Sequence, residues 1–159
     1  MKRSMKLALA IFLSFAALNC APPADPAPAK NVVKLLTDAS RHLCNNEYDK
    51  AVEKCNEILS IEPRCSGAYY IRGFARRYKG EYELSVMDFT QKLKIDPKYA
   101  AAYYGRAISF AYMDMYKEAV ADLTSAIGLD PGYKDAYFSR ARVYYDMEEY
   151  DKAWDEIGR

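Results

Sequence analysis

The chain has 159 residues, 23 Lys and Arg against 22 Asp and Glu, and an apolar content of 51%. That length fits one folded domain of ordinary size, and the even charge argues against nucleic-acid binding, which needs a net basic face. The longest apolar stretch, Leu7–Leu18, covers 12 residues, against roughly 20 needed to cross a bilayer, so a multi-spanning membrane protein is excluded as well.

Residues 1–19 read as an export signal. Lys2, Arg3 and Lys6 precede the apolar stretch 7–18, followed by Asn19 and Cys20, which is the order of a secretory signal peptide. A cut near Ala21 would run into Pro22, whereas a cut before Cys20 avoids it. The segment therefore resembles a bacterial lipoprotein signal with Cys20 as the acylated residue, although Ala17 and Asn19 stand where such signals usually carry Leu and a small residue. Loss of residues 1–19 removes three positive charges and moves the formal charge from +1 to −2. Residues 20–31 then comprise the lipidation cysteine and a Pro/Ala-rich linker. Pro22, Pro23, Pro26 and Pro28 oppose helix there and favour an extended polyproline II spacer of roughly 30 Å, at about 3.1 Å per residue.

From residue 32 onward a period of 34 governs the chain. Pro63, Pro97 and Pro131 keep it; so do Tyr48, Tyr82, Tyr116 and Tyr150, and Tyr69, Tyr103 and Tyr137. Arg72, Arg106 and Arg140 form another column, and Ala51, Ser85, Ala119 and Ala153 a column of small residues. Each period reads as two helices. In the second, residues 66–79 have helical apolar spacing and Gly80 provides a left-handed stop. Residues 82–95 form the partner helix, which ends before Asp96-Pro97 because the residue ahead of a proline is steered out of the α region. Small residues (Gly73, Ala107 and Ala141 on first helices) let paired helices approach, and Cys55, Phe89, Leu123 and Ile157 fill the space between them.

These columns resemble the tetratricopeptide repeat family over 32–159, in repeats 32–65, 66–99, 100–133 and a shortened 134–159. The resemblance implies an all-α helix-turn-helix solenoid, a right-handed superhelix of about 3.5–4 repeats. It further implies a concave groove lined by first helices, a protein-binding role and no intrinsic chemistry. On this chain the implied groove residues are Tyr70, Phe74, Arg77, Tyr78, Tyr104, Ile108, Tyr112, Phe138, Arg142 and Tyr145. Aromatics with arginine are the side chains enriched at binding hot spots, and they suit a peptide with aromatic or aliphatic anchors and a carboxylate. The alternative for each tyrosine is packing between helices with only its hydroxyl in water. Some relatives grip carboxylate-terminated tails with Lys, Asn and Arg; Leu36, Ser40, Ile71, Ala101 and Gly105 hold those places here, so no such clamp is expected.

Charges alternate in a second pair of columns. Asp38, Arg72, Arg106 and Arg140 face Lys54, Asp88, Asp122 and Glu156, with both signs reversed together in the first repeat. The expected ion pairs are Asp38–Lys54, Arg72–Asp88, Arg106–Asp122 and Arg140–Glu156. The sole histidine, His42, stands where the family has a core aromatic and reads as structural. Cys44, Cys55 and Cys65 read as unbridged small apolar residues. The sequence carries no metal-ligand spacing, phosphate loop or nucleophile–base motif, so an enzyme, a metal site and a cofactor are not expected. The last helix is short, and Trp154 occupies a place normally covered by a further repeat. Either the natural protein continues past this end, or the end docks on another molecule, including by self-association, or Trp154 folds back. The expected protein is thus an exported, lipid-anchored, periplasmic scaffold that binds a peptide or protein, touching membrane only through its anchor; a structural assembly subunit that oligomerises through its C-terminal repeat is the alternative.

Overall fold

A computed structural model describes residues 26–158. They form eight α-helices: α1 (Pro26–Cys44), α2 (Tyr48–Ile61), α3 (Ser66–Lys79), α4 (Tyr82–Ile95), α5 (Ala100–Tyr112), α6 (Tyr116–Leu129), α7 (Lys134–Asp146) and α8 (Tyr150–Ile157). Among the described residues there is no strand, and no helix is long and apolar enough to cross a membrane. The export signal and Cys20 lie outside the described residues. Two compact units divide the chain, Met1–Glu81 and Tyr82–Arg159. The division falls inside the second 34-residue repeat, between its two helices, where the period alone predicted one continuous domain.

In the first unit α2 packs on both α1 and α3. Val32, Leu35, Leu36, Ala39 and Leu43 of α1 meet Ala51, Cys55 and Ile58 of α2 and Ala68, Ile71 and Ala75 of α3 in one core. In the second unit each helix from α4 to α8 packs on the next in sequence. Its core is mostly alanine (Ala107, Ala119, Ala126 and Ala136 with Leu123 and Val143), surrounded by half-buried Tyr103, Tyr104, Phe110, Tyr116 and Tyr133. Small residues bury little area each, but they let helix axes approach so that the larger rings close over the seam. One close approach is at Gly105 on α5: a Cβ there would sit 2.5 Å from Phe89 Cζ on α4.

Helix α1 starts earlier than the linker reading predicted. Pro26 and Pro28 lie in its first turn, where a missing N–H would have had no intrahelical partner and the fixed φ of proline already suits a helix. Residues 26–30 are therefore helical rather than extended.

Every hairpin turns through the same backbone device. Asn46, Gly80, Asp114 and Glu148, 34 residues apart, all have positive φ (62°, 82°, 58° and 63°). The following N–H in each case reaches back to a carbonyl five residues earlier: Glu47 to His42, Glu81 to Arg76, Met115 to Phe110 and Glu149 to Tyr144, at 2.9–3.0 Å. This is the Schellman closure of a helix end, and its left-handed residue favours glycine. Asn46 and Asp114 offset the strain by accepting from Tyr48 and Tyr116 hydroxyls at 2.9 and 2.7 Å. Glu148 gains no comparable bond. Glu148→Gly is expected to stabilise the last hairpin by about 1 kcal/mol, the cost of a left-handed Cβ; a melting temperature unchanged or lowered in the variant would refute this.

The first turn also holds a charge relay. Glu47 accepts from Lys50 Nζ at 2.7 Å and pairs with His42 Nδ1 at 2.6 Å. Those bonds, Lys50's first, hold its carboxyl down from 4.5 to about 2. A depressed carboxyl contributes stability that is complete above pH 4.5 and disappears as pH falls towards 2. Glu47→Gln should accordingly melt below wild type at pH 7, with the two curves converging near pH 2. A gap independent of pH would count against the relay. His42 therefore closes the turn rather than filling the core place that the resemblance implied.

Candidate functional site

Arginines of the first helices strap neighbouring hairpins together. On α5, Arg106 donates from Nε and Nη2 to both oxygens of Asp122 on α6 at 2.7 and 2.8 Å, and from Nη1 to Thr90 Oγ1 on α4 at 3.0 Å. On α7, Arg140 repeats the pattern with both oxygens of Glu156 on α8 (2.8 and 2.9 Å) and with Thr124 Oγ1 on α6 (2.9 Å). Each guanidinium also lies near the ring of the tyrosine three residues before it, Tyr103 or Tyr137, at 5.7 Å. The fork of donors at fixed angles allows one side chain to serve two partners. Hydrogen bonding to Asp122 raises the Arg106 pKa further above its ordinary value. On α3, Arg72 donates to Asn56 Oδ1 on α2 at 2.6 Å. The acceptors on the preceding hairpin, Asn56, Thr90 and Thr124, are again 34 residues apart, and the sequence reading missed them.

The first-repeat pair differs from expectation. Asp38 takes Arg41 at 2.7 Å and Lys54 takes Glu57 at 2.6 Å, so no Asp38–Lys54 bridge forms. A partner one turn away on the same helix needs less side-chain ordering than one across the hairpin. Asp38 still contributes through the field to raising the Lys54 pKa, after the larger effect of Glu57. Arg72 and Asp88, the remaining expected pair, belong to different compact units.

The groove residues fall into two groups. In the first unit Tyr70, Phe74, Arg77 and Tyr78 form a strip along α3. Tyr70 and Phe74 meet edge-on at 4.8 Å, and the Arg77 guanidinium lies over the Phe74 ring at 4.9 Å and the Tyr78 ring at 4.7 Å. Arg77 Nε is buried and has no hydrogen-bond partner. Tyr78 stacks flat on Tyr48 of α2 at 5.3 Å. In the second unit Tyr112 stacks on Tyr82 in the same way, 4.9 Å apart. Both predicted groove tyrosines therefore spend one ring face on the preceding hairpin. Tyr104 is half-buried against Tyr133 (5.1 Å), and Ile108 is half-buried. Phe138, Arg142 and Tyr145 on α7 are open to solvent, Arg142 with a loose 3.9 Å contact to Asp146.

Cys65 is disulfide-bonded, which corrects the expectation that it is a plain apolar residue, whereas Cys44 and Cys55 are thiols. Among the described residues no cluster of His, Cys, Asp and Glu could hold a metal. Two side chains have ionisation shifted chiefly by burial. The Glu62 carboxyl, with both oxygens buried and no hydrogen-bond partner, is pushed up, and the Lys92 ammonium, 3.1 Å from Asp96 and 3.9 Å from the centre of the Tyr99 ring, is pushed down. One is a lone acid and the other a cation already held, so neither composes a nucleophile with its base.

The tetratricopeptide repeat family's sequence profile matches residues 100–133, the third repeat. The fold is that of known tetratricopeptide repeat structures. A crystal structure of MamA superposes with a TM-score of 0.77 at 23% identity, covering 80% of this chain and 75% of that one. MamA residues 41 to the end from Desulfovibrio magneticus RS-1 superpose with a TM-score of 0.75 at 17% identity, covering 78% and 70%. The first such domain of Spaghetti (RPAP3), bound to the HSP90 peptide SRMEEVD, gives 0.72 at 15% identity, covering 75% and 94%. No curated protein matches the chain in sequence.

Proposed function

We propose that the chain is an exported, non-enzymatic interaction scaffold that binds a peptide or protein segment along its first helices. The observation that supports this reading is Arg77. Its guanidinium lies against two neighbouring rings, Phe74 and Tyr78, and its Nε is buried without a hydrogen-bond partner. A cation so placed favours a partner that brings a carboxylate, and Tyr70 and Phe74 beside it favour an aliphatic or aromatic neighbour of that carboxylate. A domain of the same fold holds the acidic peptide SRMEEVD. The clamp residues of such domains are replaced here by Leu36, Ser40, Ile71, Ala101 and Gly105, so the partner would be held by different contacts.

Selection from a displayed peptide library should enrich sequences with Asp or Glu beside an apolar residue. Arg77→Ala should weaken them about 30-fold, the effect of a hot-spot side chain worth about 2 kcal/mol, with the melting temperature unchanged. Equal binding by the variant would discard the site. Export is tested separately by the mass of the mature N-terminal peptide: loss of the leading segment 1–19 supports it, and a mature chain that still carries that segment removes it.

A further inference from the structure

Two pairs of tyrosines are stacked flat, one in each compact unit. In the first, Tyr48 opens α2 and meets Tyr78 in the last turn of α3, with 5.3 Å between ring centres and 16° between planes. In the second, Tyr82 opens α4 and meets Tyr112 at the end of α5, at 4.9 Å and only 6° from parallel. Stacked carbons touch at about 3.5–4 Å, so at these centre distances the rings have slid across one another by roughly a ring's width. Edge carbons of one ring therefore face edge carbons of the other. Tyr78 is 47% exposed and Tyr112 53%, so each stack is open on one side. Packing alone would be served by phenylalanine, yet all four residues are phenols.

We propose that the two stacks, Tyr48–Tyr78 and Tyr82–Tyr112, are sites of oxidative coupling to dityrosine. A one-electron oxidant takes one electron from each phenol, and each hydroxyl proton leaves to water. The unpaired electron of a phenoxyl radical occupies a π orbital whose lobes stand above and below the ring. In a slid, parallel pair those lobes point at each other, which is the near-attack arrangement for a bond. The two electrons pair in one C–C bond between carbons ortho to the hydroxyls. The hydrogens displaced from those carbons move to the oxygens, and both rings regain aromaticity. Two tyrosines have then lost two electrons and two protons, which hydrogen peroxide, acting through a haem peroxidase, takes up to become two waters. The new bond fastens the start of a second helix to the end of the next first helix, and it restricts the unfolded chain as a disulfide does.

Other tyrosine pairs separate alignment from mere closeness. Tyr145 and Tyr150 are also 5.3 Å apart, but their planes cross at 65°. Tyr104 and Tyr133, 5.1 Å apart, are tilted by 38°. In both pairs the π lobes are turned away from each other. The next residue of the Tyr78 and Tyr112 column is Asp146, which offers Tyr116 no phenol to couple with.

The test treats the dilute 159-residue chain with hydrogen peroxide and a haem peroxidase, then maps linked peptides by mass after digestion. The expected products are intramolecular, lighter than their two parent peptides by two hydrogens, and join Tyr48 to Tyr78 and Tyr82 to Tyr112. Each should exceed the Tyr145–Tyr150 and Tyr104–Tyr133 products by at least about 10-fold, since misaligned reactants lose that much or more. Tyr78→Phe and Tyr112→Phe keep the ring and the stack, so they should melt as wild type and each lose only its own product. The proposal is overturned if no dityrosine forms, if the crossed pairs couple as readily as the flat ones, if coupling runs mainly between chains, or if the phenylalanine variants leave the dityrosine yield unchanged.

Discussion

An Arg106→Ala variant is expected to melt about 10 °C below wild type, with a loss of about 3 kcal/mol or more. The loss would not come mainly from the attraction between Arg106 and Asp122. Asp122 is only 6% exposed, and its two oxygens accept from the same guanidinium. Removing the cation leaves a carboxylate in a dry seam, and breaking a buried pair from one side costs about 3–5 kcal/mol. For a chain of this size each kcal/mol is worth about 3 °C. Arg106→Lys should recover little, because a single ammonium lacks the planar fork of donors that serves Asp122 and Thr90 together. Arg106→Met combined with Asp122→Leu should recover most of the loss, since the unpaired charge is then gone. If the double variant melts as low as the single one, the charge is not the cause.

The second large effect lies at the Phe89–Gly105 contact. Phe89→Ala empties a fully buried site and is expected to cost about 3–5 kcal/mol. Gly105→Ala on its own adds a Cβ that would sit 2.5 Å from Cζ, 2.7 Å from Cε1 and 3.0 Å from Cε2 of that ring. Overpacking of this kind costs about 1–3 kcal/mol, against a helix-propensity gain of about 1 kcal/mol for replacing glycine. The informative quantity is the sign in combination. With Phe89 already reduced to alanine the clash is absent and the propensity gain remains, so Gly105→Ala should then stabilise. Denaturant melts of the four proteins measure it. A Gly105→Ala effect of the same sign in both backgrounds would mean that the ring is not what excludes a side chain at 105.

The architecture was legible because hairpin repeats write their period into columns of like residues. Proline, tyrosine, arginine and the small residues each keep one chemistry at one place, so helix limits and the Arg106 and Arg140 partners could be read directly. Columns of mixed chemistry stayed hidden. Asn56, Thr90 and Thr124 share only the ability to accept a hydrogen bond, so the second half of each arginine strap was invisible. The left-handed turn column reads Asn, Gly, Asp and Glu, of which only Gly80 signals its conformation, because Glu148 is held there by the hairpin around it. The Tyr48–Tyr78 and Tyr82–Tyr112 stacks recur after 34 residues, but the period alone does not say which two columns meet. At Asp38 and Lys54 the reversed signs suggested a pair, but nearer helical neighbours took both charges. The Pro-rich linker was misjudged at its end, since two prolines that break a helix interior are compatible with its first turn.

The arginine straps also bear on how such a chain can change length. Each spans one junction, taking an acceptor from the hairpin before it and an acid from its own. Duplicating or excising the block 100–133 would therefore add or remove donors and acceptors in equal number. Growth or shrinkage by whole modules leaves no stranded polar group at the splice, so selection is free to lengthen or shorten the array without redesigning its joints.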